Sequence, residues 1–199
     1  MTKSQKIQKR IFDITLSFIG LVLTGWLILL AAGIARLDTG LNGFFRQKRV
    51  GKNGKIFKVA KIRSMKPVKG VTTSVTAKND PRISKVGRFW RKTKIDELPQ
   101  LWNVLVGDMS FVGPRPDVPG FADKLKGEDR IILTVRPGIT GTATLKYRNE
   151  EELLGMQSDA ELYNTQVIWP DKVRINKHYI NNYSIWLDIK ILIRTIFGT

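Results

Sequence analysis

The sequence predicts a mainly helical α+β fold in two parts. A membrane-inserted N-terminal helix occupies residues 1–36, and a domain over residues 37–199 carries a small β-hairpin and amphipathic helices suited to a membrane interface. Three observations predict it: an uncharged apolar run from Ile14 to Ala35, an Asn-Gly pair between two β-prone segments, and apolar residues at spacings of three and four in later segments. The chain has 199 residues with 34 Lys plus Arg, 17 Asp plus Glu and no Cys, a net charge of +17. The missing Cys excludes disulfides, thiolate metal sites and a Cys nucleophile. A hydrophobic content of 42% is too high for a wholly disordered chain. The basic excess implies an anionic partner: nucleic acid, a phosphorylated substrate or a membrane surface.

The charge is unevenly placed. Arg36 to Lys94 holds eighteen basic residues against Asp38 and Asp80, net +16, whereas Ile95 to Thr199 is net −2 and Met1 to Asp13 is net +3. The two basic blocks flank Ile14–Ala35, 22 residues that as a helix would be about 33 Å long, enough to cross a hydrocarbon core. Lys3, Lys6, Lys9 and Arg10 resemble the basic region of a signal peptide, but the stronger basic block that follows the run argues against secretion. Basic flanks on both sides fit two arrangements: a span with the more basic side inside, or a bent helix that enters and leaves one leaflet. Thr24-Gly25, beside Trp26, lies close to the midpoint where such a bend would fall.

The remaining elements follow in order. Phe44–Val50 and Lys55–Ile62 flank Gly51-Lys52-Asn53-Gly54 and read as a hairpin with one basic face. Lys66 to Asp80 has no helical period and reads as a loop. Arg82–Trp90 and Ile95–Val106 read as helices. In the second, Leu98, Leu101, Trp102 and Leu105 share a face, Pro99 fits the first turn and Asp96 falls near the N-cap. Gly107–Pro116 and Val135–Gly141 are rich in Gly and Pro and read as turns. Ile185–Phe197 reads as a helix with Trp186, Ile189, Ile193 and Ile196 on one face, either core or membrane interface.

Asp96-Glu97 is the sharpest chemical feature. Such a pair can cap a helix, but Arg88, Arg91, Lys92 and Lys94 precede it. Carboxylates among cations also suit phosphoryl transfer, where a carboxylate holds Mg²⁺ or attacks phosphorus and Arg or Lys neutralises charge. Arg115, stiffened between Pro114 and Pro116, and Arg136, before Pro137, read either as phosphate ligands or as solvated turn residues. Lys61 and Arg63 leave the hairpin on its basic face, and His178, the only histidine, is assigned no role. Neither a P-loop nor a dinucleotide-binding glycine motif occurs.

From about Lys9 to Phe197 the chain resembles the bacterial sugar transferases, in their minimal form as monotopic phosphoglycosyl transferases. The resemblance rests on Lys94-Ile95-Asp96-Glu97-Leu98-Pro99-Gln100-Leu101-Trp102-Asn103-Val104-Leu105, Gly107 to Pro116 (GDMSFVGPRP) and Val135 to Gly141 (VRPGITG), in that order. Lys61-Ile62-Arg63-Ser64-Met65 and Arg10 to Asp13 support it. It implies a cytoplasmic catalytic domain on the bacterial inner membrane, with a re-entrant helix that leaves Lys9 and Arg46 on the same side. It also implies transfer of a sugar-1-phosphate from a UDP-sugar to a polyprenyl phosphate such as undecaprenyl phosphate, with release of UMP. Under the resemblance Asp96 is the nucleophile that forms a phosphosugar intermediate, Glu97 assists, and Mg²⁺ lies near Asp96. Lys61, Arg91, Arg115 and Arg136 line the anionic pocket. Relatives usually carry Ser-Pro where this chain has Thr24-Gly25 and Gly-Arg-Asn where it has Tyr147-Arg148-Asn149, and the segment Glu150 to Lys172 matches poorly. Two other readings stand beside it: a membrane-tethered module for nucleic acid or anionic lipid, which explains the basic block but not the acidic Asp96-Glu97 inside it, and a non-catalytic scaffold of glycan assembly with the motifs retained for folding. No nucleic-acid partner is expected.

Overall fold

The computed structural model describes residues 1–68 and 80–198. The loop expected over Lys66 to Asp80 therefore lies mostly outside the described residues.

Helix α1 (Lys3–Thr39) contains the apolar run. A capping box starts it: the Gln5 amide donates to Thr2 Oγ1 at 3.2 Å and the Thr2 amide donates to Gln5 Oε1 at 2.7 Å. Gly40, at φ +69°, ends it in the left-handed conformation. At 37 residues the helix is about 55 Å long. It is unbroken at Thr24-Gly25, where a bend was expected. Gly25 keeps the backbone N–H that a proline would lack, and Thr24 Oγ1 donates to the Gly20 carbonyl at 2.7 Å within the helix.

The two faces of α1 differ along its whole length. Ile7, Ile11, Ile14, Phe18, Val22, Trp26 and Leu29 form an exposed apolar stripe. Lys9, Asp13, Ser17, Ile28, Ala31, Ala32 and Ala35 are buried against the rest of the chain. Ala35, expected in the membrane segment, thus packs on protein.

Strands β1 (Phe44–Val50) and β2 (Ile56–Ile62) form the expected antiparallel hairpin, with Gln47 opposite Val59. Asn53 at φ +58° and Gly54 at φ +77° make its turn, a conformation these two residue types adopt most readily. Helix α2 (Lys85–Thr93) starts three residues later than the apolar pattern suggested, because Ser84 Oγ accepts from the Gly87 amide at 2.8 Å and caps it. The expected helix over Ile95–Val106 is divided. Lys94, at φ +59°, turns the chain; Ile95–Glu97 is a 3₁₀ turn; and α3 (Gln100–Val106) follows Pro99.

Both Gly/Pro-rich segments, whose composition predicts turns, contain a short strand. Strand β3 (Ser110–Val112) pairs in parallel with β4 (Gly138–Thr140). The pairing needs glycine: a Cβ on Gly138 would lie 2.2 Å from the Gly113 nitrogen. After β4 come α4 (Thr142–Lys146), α5 (Glu150–Gly155), α6 (Ala160–Tyr163), α7 (Trp169–Asn181) and α8 (Ile185–Phe197).

The main core joins Val112, Ile132, Leu133, Val173, Tyr179, Ile180 and Ile191. A second cluster packs Ile28, Ala31, Ala32 and Ala35 of α1 on Ile62 and Trp90. Towards its N-terminal end, α1 is tied in by polar groups. Lys9 pairs with Asp188 of α8, and Asp13 Oδ1 accepts from Ser110 Oγ and the Phe111 amide, each at 3.0 Å. Asp188 is fully buried, whereas Trp186, Ile193, Ile196 and Phe197 of the same helix are exposed. Helix α8 thus buries Asp188 and Ile191 against the core and exposes large apolar side chains beside Lys190 and Arg194, the mixture of a helix suited to an interface.

Candidate active site

The acidic pair sits where α2, β2 and the loop after β3 meet. Glu97 Oε1 accepts from Lys61 Nζ at 3.0 Å, and Lys61 comes from the end of β2. The same oxygen accepts from Arg115 Nη2 at 3.1 Å, and Arg115 follows β3. Pro114 and Pro116 flank Arg115, while the Pro116 carbonyl accepts from Arg49 Nη1 at 3.1 Å, so β1 fixes the far side of that loop. Strand β3 is in turn held by Asp13, which links α1 to the arginine loop.

The two carboxylates differ in environment. Burial favours the protonated form of Glu97, but Arg115 and Lys61 outweigh it and hold its carboxyl well below the usual range. Asp96 is 5% exposed, and its Oδ1 has no hydrogen-bond partner. Burial and the neighbouring negative charge of Glu97 push its carboxyl up, while Lys61, Arg91 and Lys94 act in the opposite sense. Burial pushes the Lys61 ammonium down, against the pull of Glu97.

Four of the expected side chains thus converge: Asp96, Glu97, Lys61 and Arg115, with the charge of Arg91 acting on Asp96. Arg136 does not join them. Its Nε donates to the Gly107 carbonyl at 2.7 Å, where Arg10 also donates to the Val104 and Leu105 carbonyls. Both guanidiniums therefore cap the C-terminal end of α3, and Asp96 lies beyond the other end. Arg136 and Arg115 share an Arg-Pro context, so only the path of the chain separates their roles.

A second charged group lies next to Arg115, and the sequence reading missed it. Lys172 of α7 donates to both oxygens of Glu150, at 2.7 and 2.6 Å. Asp117, two residues after Arg115, is acted on by the charges of Lys172, Arg49 and Arg115. Burial nevertheless pushes its carboxyl up to about 6. No local motif marks these residues; Lys172 and Glu150 are 22 positions apart and meet only in the folded chain.

No cluster of three or more acidic or histidine side chains that could hold a metal occurs among the described residues. The unpartnered Asp96 oxygen still fits Mg²⁺, which commonly takes one or two carboxylates and draws its other ligands from substrate phosphates and water.

Comparison with known proteins bears on this arrangement. The chain is 38% identical to the galactosyl transferase CpsE of Streptococcus agalactiae, over 97% of this chain and 42% of that protein. It is 36% identical to the uncharacterized sugar transferase EpsL of Bacillus subtilis, over 96% of this chain and 86% of that protein. It is 37% identical to the UDP-glucose:undecaprenyl-phosphate glucose-1-phosphate transferase of Escherichia coli, over 96% of this chain and 40% of that protein. The chain therefore spans about two fifths of the length of the first and third of these relatives and most of the second. Residues 4–199 match the family described as bacterial sugar transferase, and the chain belongs to that family.

Proposed function

We propose that the protein is a phosphoglycosyl transferase that moves a sugar-1-phosphate from a UDP-sugar to undecaprenyl phosphate or a similar polyprenyl phosphate. The observation that carries this reading is the pairing of a buried, unpartnered Asp96 oxygen with a Glu97 carboxylate gripped by two cations from different elements. In the first step an Asp96 carboxylate oxygen attacks the β-phosphorus. An O–P bond forms, the bond from that phosphorus to the bridging oxygen breaks, and UMP leaves with the bridging oxygen and its electron pair. In the second step a phosphate oxygen of the polyprenyl phosphate attacks the same phosphorus and restores the Asp96 carboxylate.

Lys61 and Arg115 neutralise the charge gathered on the transferred phosphoryl group. Burial of Asp96 lowers its hydration and so raises its nucleophilicity once it is ionised. Mg²⁺, when bound, would be held by Asp96 together with the diphosphate and would supply further charge neutralisation.

The acceptor is a lipid, so the site must sit at a membrane. We place the domain at the cytoplasmic face of the inner membrane, with α1 inserted as a monotopic element. Support comes from the packing of α1: Asp13 contacts β3 and Ala32 packs on the same domain through Ile62 and Trp90. A helix that crossed the bilayer could not hold both contacts outside the hydrocarbon. The exposed stripe of α1 and the exposed Trp186, Ile193, Ile196 and Phe197 of α8 are the surfaces available to lipid.

The test is UMP release from UDP-glucose, UDP-galactose and UDP-N-acetylgalactosamine with undecaprenyl phosphate as acceptor. Release from at least one donor, dependent on Mg²⁺, is expected. Salt-dependent DNA binding with no UMP release would contradict the proposal.

A further inference from the structure

Gln100 is 3% exposed, and its side-chain Nε2 is buried with no hydrogen-bond partner. A buried amide donor left unpaired carries its full desolvation penalty, so native structures seldom keep one without a use.

Its position is fixed by its helical neighbours. Three residues before it, Glu97 bonds Lys61 of β2. Three residues after it, Asn103 accepts from the Ala60 amide at 3.0 Å and donates to the Lys58 carbonyl at 2.9 Å. Gln100 therefore lies on the side of α3 that faces β2, between these two connections. The backbone from Leu98 through Pro99 into α3 is helical, so Gln100 and Asp96, four residues apart, share a face. Long side chains on a helix lean back towards its N-terminus, here towards the turn that carries Asp96. Asp96 Oδ1 on that turn is a buried acceptor without a partner, and Gln100 Nε2 is a buried donor without a partner. The two are not bonded to each other, which leaves both open to a third group.

We propose that the Gln100 amide is a hydrogen-bond donor reserved for the phosphoryl group that reacts at Asp96. It would donate to an oxygen of that group as charge builds on it, adding a neutral donor to the cations Lys61 and Arg115. This inference rests on the function proposed above. A neutral amide suits the position because it adds no charge to compete with Lys61 for Glu97, and because it cannot itself take up the phosphoryl group.

The test uses the full chain in detergent with the UDP-sugar donor that wild type turns over, comparing wild type, Asp96→Asn, Gln100→Met and Gln100→Glu. Gln100→Met keeps the length of the side chain and removes the donor, so kcat for UMP release should fall by about a hundredfold with KM changed by less than about threefold. Its melting temperature should equal or exceed that of wild type, since an orphan donor has been replaced by an apolar group. Gln100→Glu should be at least as impaired, because it sets an anion against the phosphoryl oxygens. A kcat for Gln100→Met within about twofold of wild type would overturn the inference, as would a lowered melting temperature that accounts for the lost activity. If wild type released no UMP from any donor, the proposed function itself would fail and this inference with it. Loss of activity in Asp96→Asn alone, with Gln100→Met active, would instead sink only the role of Gln100.

Discussion

The Lys61 ammonium is bonded to Glu97, at 3.0 Å, and not to the adjacent Asp96. The two carboxylates therefore do different work: one is an anchor for cations, and the other is a buried oxygen without a partner. Glu97→Gln keeps the shape of the side chain but leaves Lys61 and Arg115 without their shared counter-charge. UMP release should fall about a hundredfold. Because the three groups are partly exposed, stability should fall by only about 1–2 kcal/mol, read as a lower melting temperature. The folded Glu97 carboxyl lies below its ordinary range, so its stabilising effect is present above that range and is lost as pH falls beneath it.

Asp117 has the opposite sign. Burial pushes its carboxyl up to about 6, so the folded protein binds that proton more tightly than the unfolded chain does. Stability from this group is fully present below its ordinary value of 3.8 and is lost as pH rises through 6. Asp117→Asn removes the dependence. The stability gain of the variant over wild type, read by thermal unfolding, should be small near about pH 4 and should grow by neutral pH to on the order of 3 kcal/mol. An unchanged gap across that range would contradict the burial described for Asp117.

The Lys9–Asp188 pair ties α1 to α8, and the Tyr179 hydroxyl donates to Asp188 Oδ1 at 2.6 Å. Removing only the cation leaves a charge with no access to water. Lys9→Met should therefore destabilise by about 3–5 kcal/mol, while Lys9→Met combined with Asp188→Leu should recover part of that loss. Thermal unfolding of the two single variants and the double variant measures the coupling. Additive losses would mean that the pair does not act as a unit.

With no native cysteine, single labels report topology cleanly. Ser4→Cys and Lys52→Cys are both at exposed positions, one at the start of α1 and one in the hairpin turn. An impermeant maleimide should reach both from the cytoplasmic side alone. Labelling from opposite sides would establish a full span in place of the monotopic arrangement.

How far the sequence could be read depended on the range of the interactions. The hairpin was legible because Asn53-Gly54 needs only its own backbone preference, and α8 because its apolar period lies within thirteen residues. Strands β3 and β4 were hidden, since each is three residues long, lies in a Gly- and Pro-rich segment and pairs with a partner 28 positions away. The break between α2 and α3 rests on Lys94 in a left-handed conformation that a lysine seldom adopts, so composition did not mark it. Asp96, Glu97, Lys61 and Arg115 were legible as chemistry through motif resemblance. What escaped was their division of labour: Glu97 binding both cations, Arg136 capping the far end of α3, and Glu150 meeting Lys172. Each of these depends on chain path, which local pattern does not encode.

The most direct test of the account concerns the Asp96 carboxylate. Incubating the protein with a UDP-sugar labelled with ³²P at the β-phosphate, without acceptor, should attach label to the wild-type chain. Undecaprenyl phosphate should then discharge that label into lipid, and Asp96→Asn should take up none. Label retained by Asp96→Asn, or UMP release by wild type with no labelled chain at any time, would contradict Asp96 as the nucleophile.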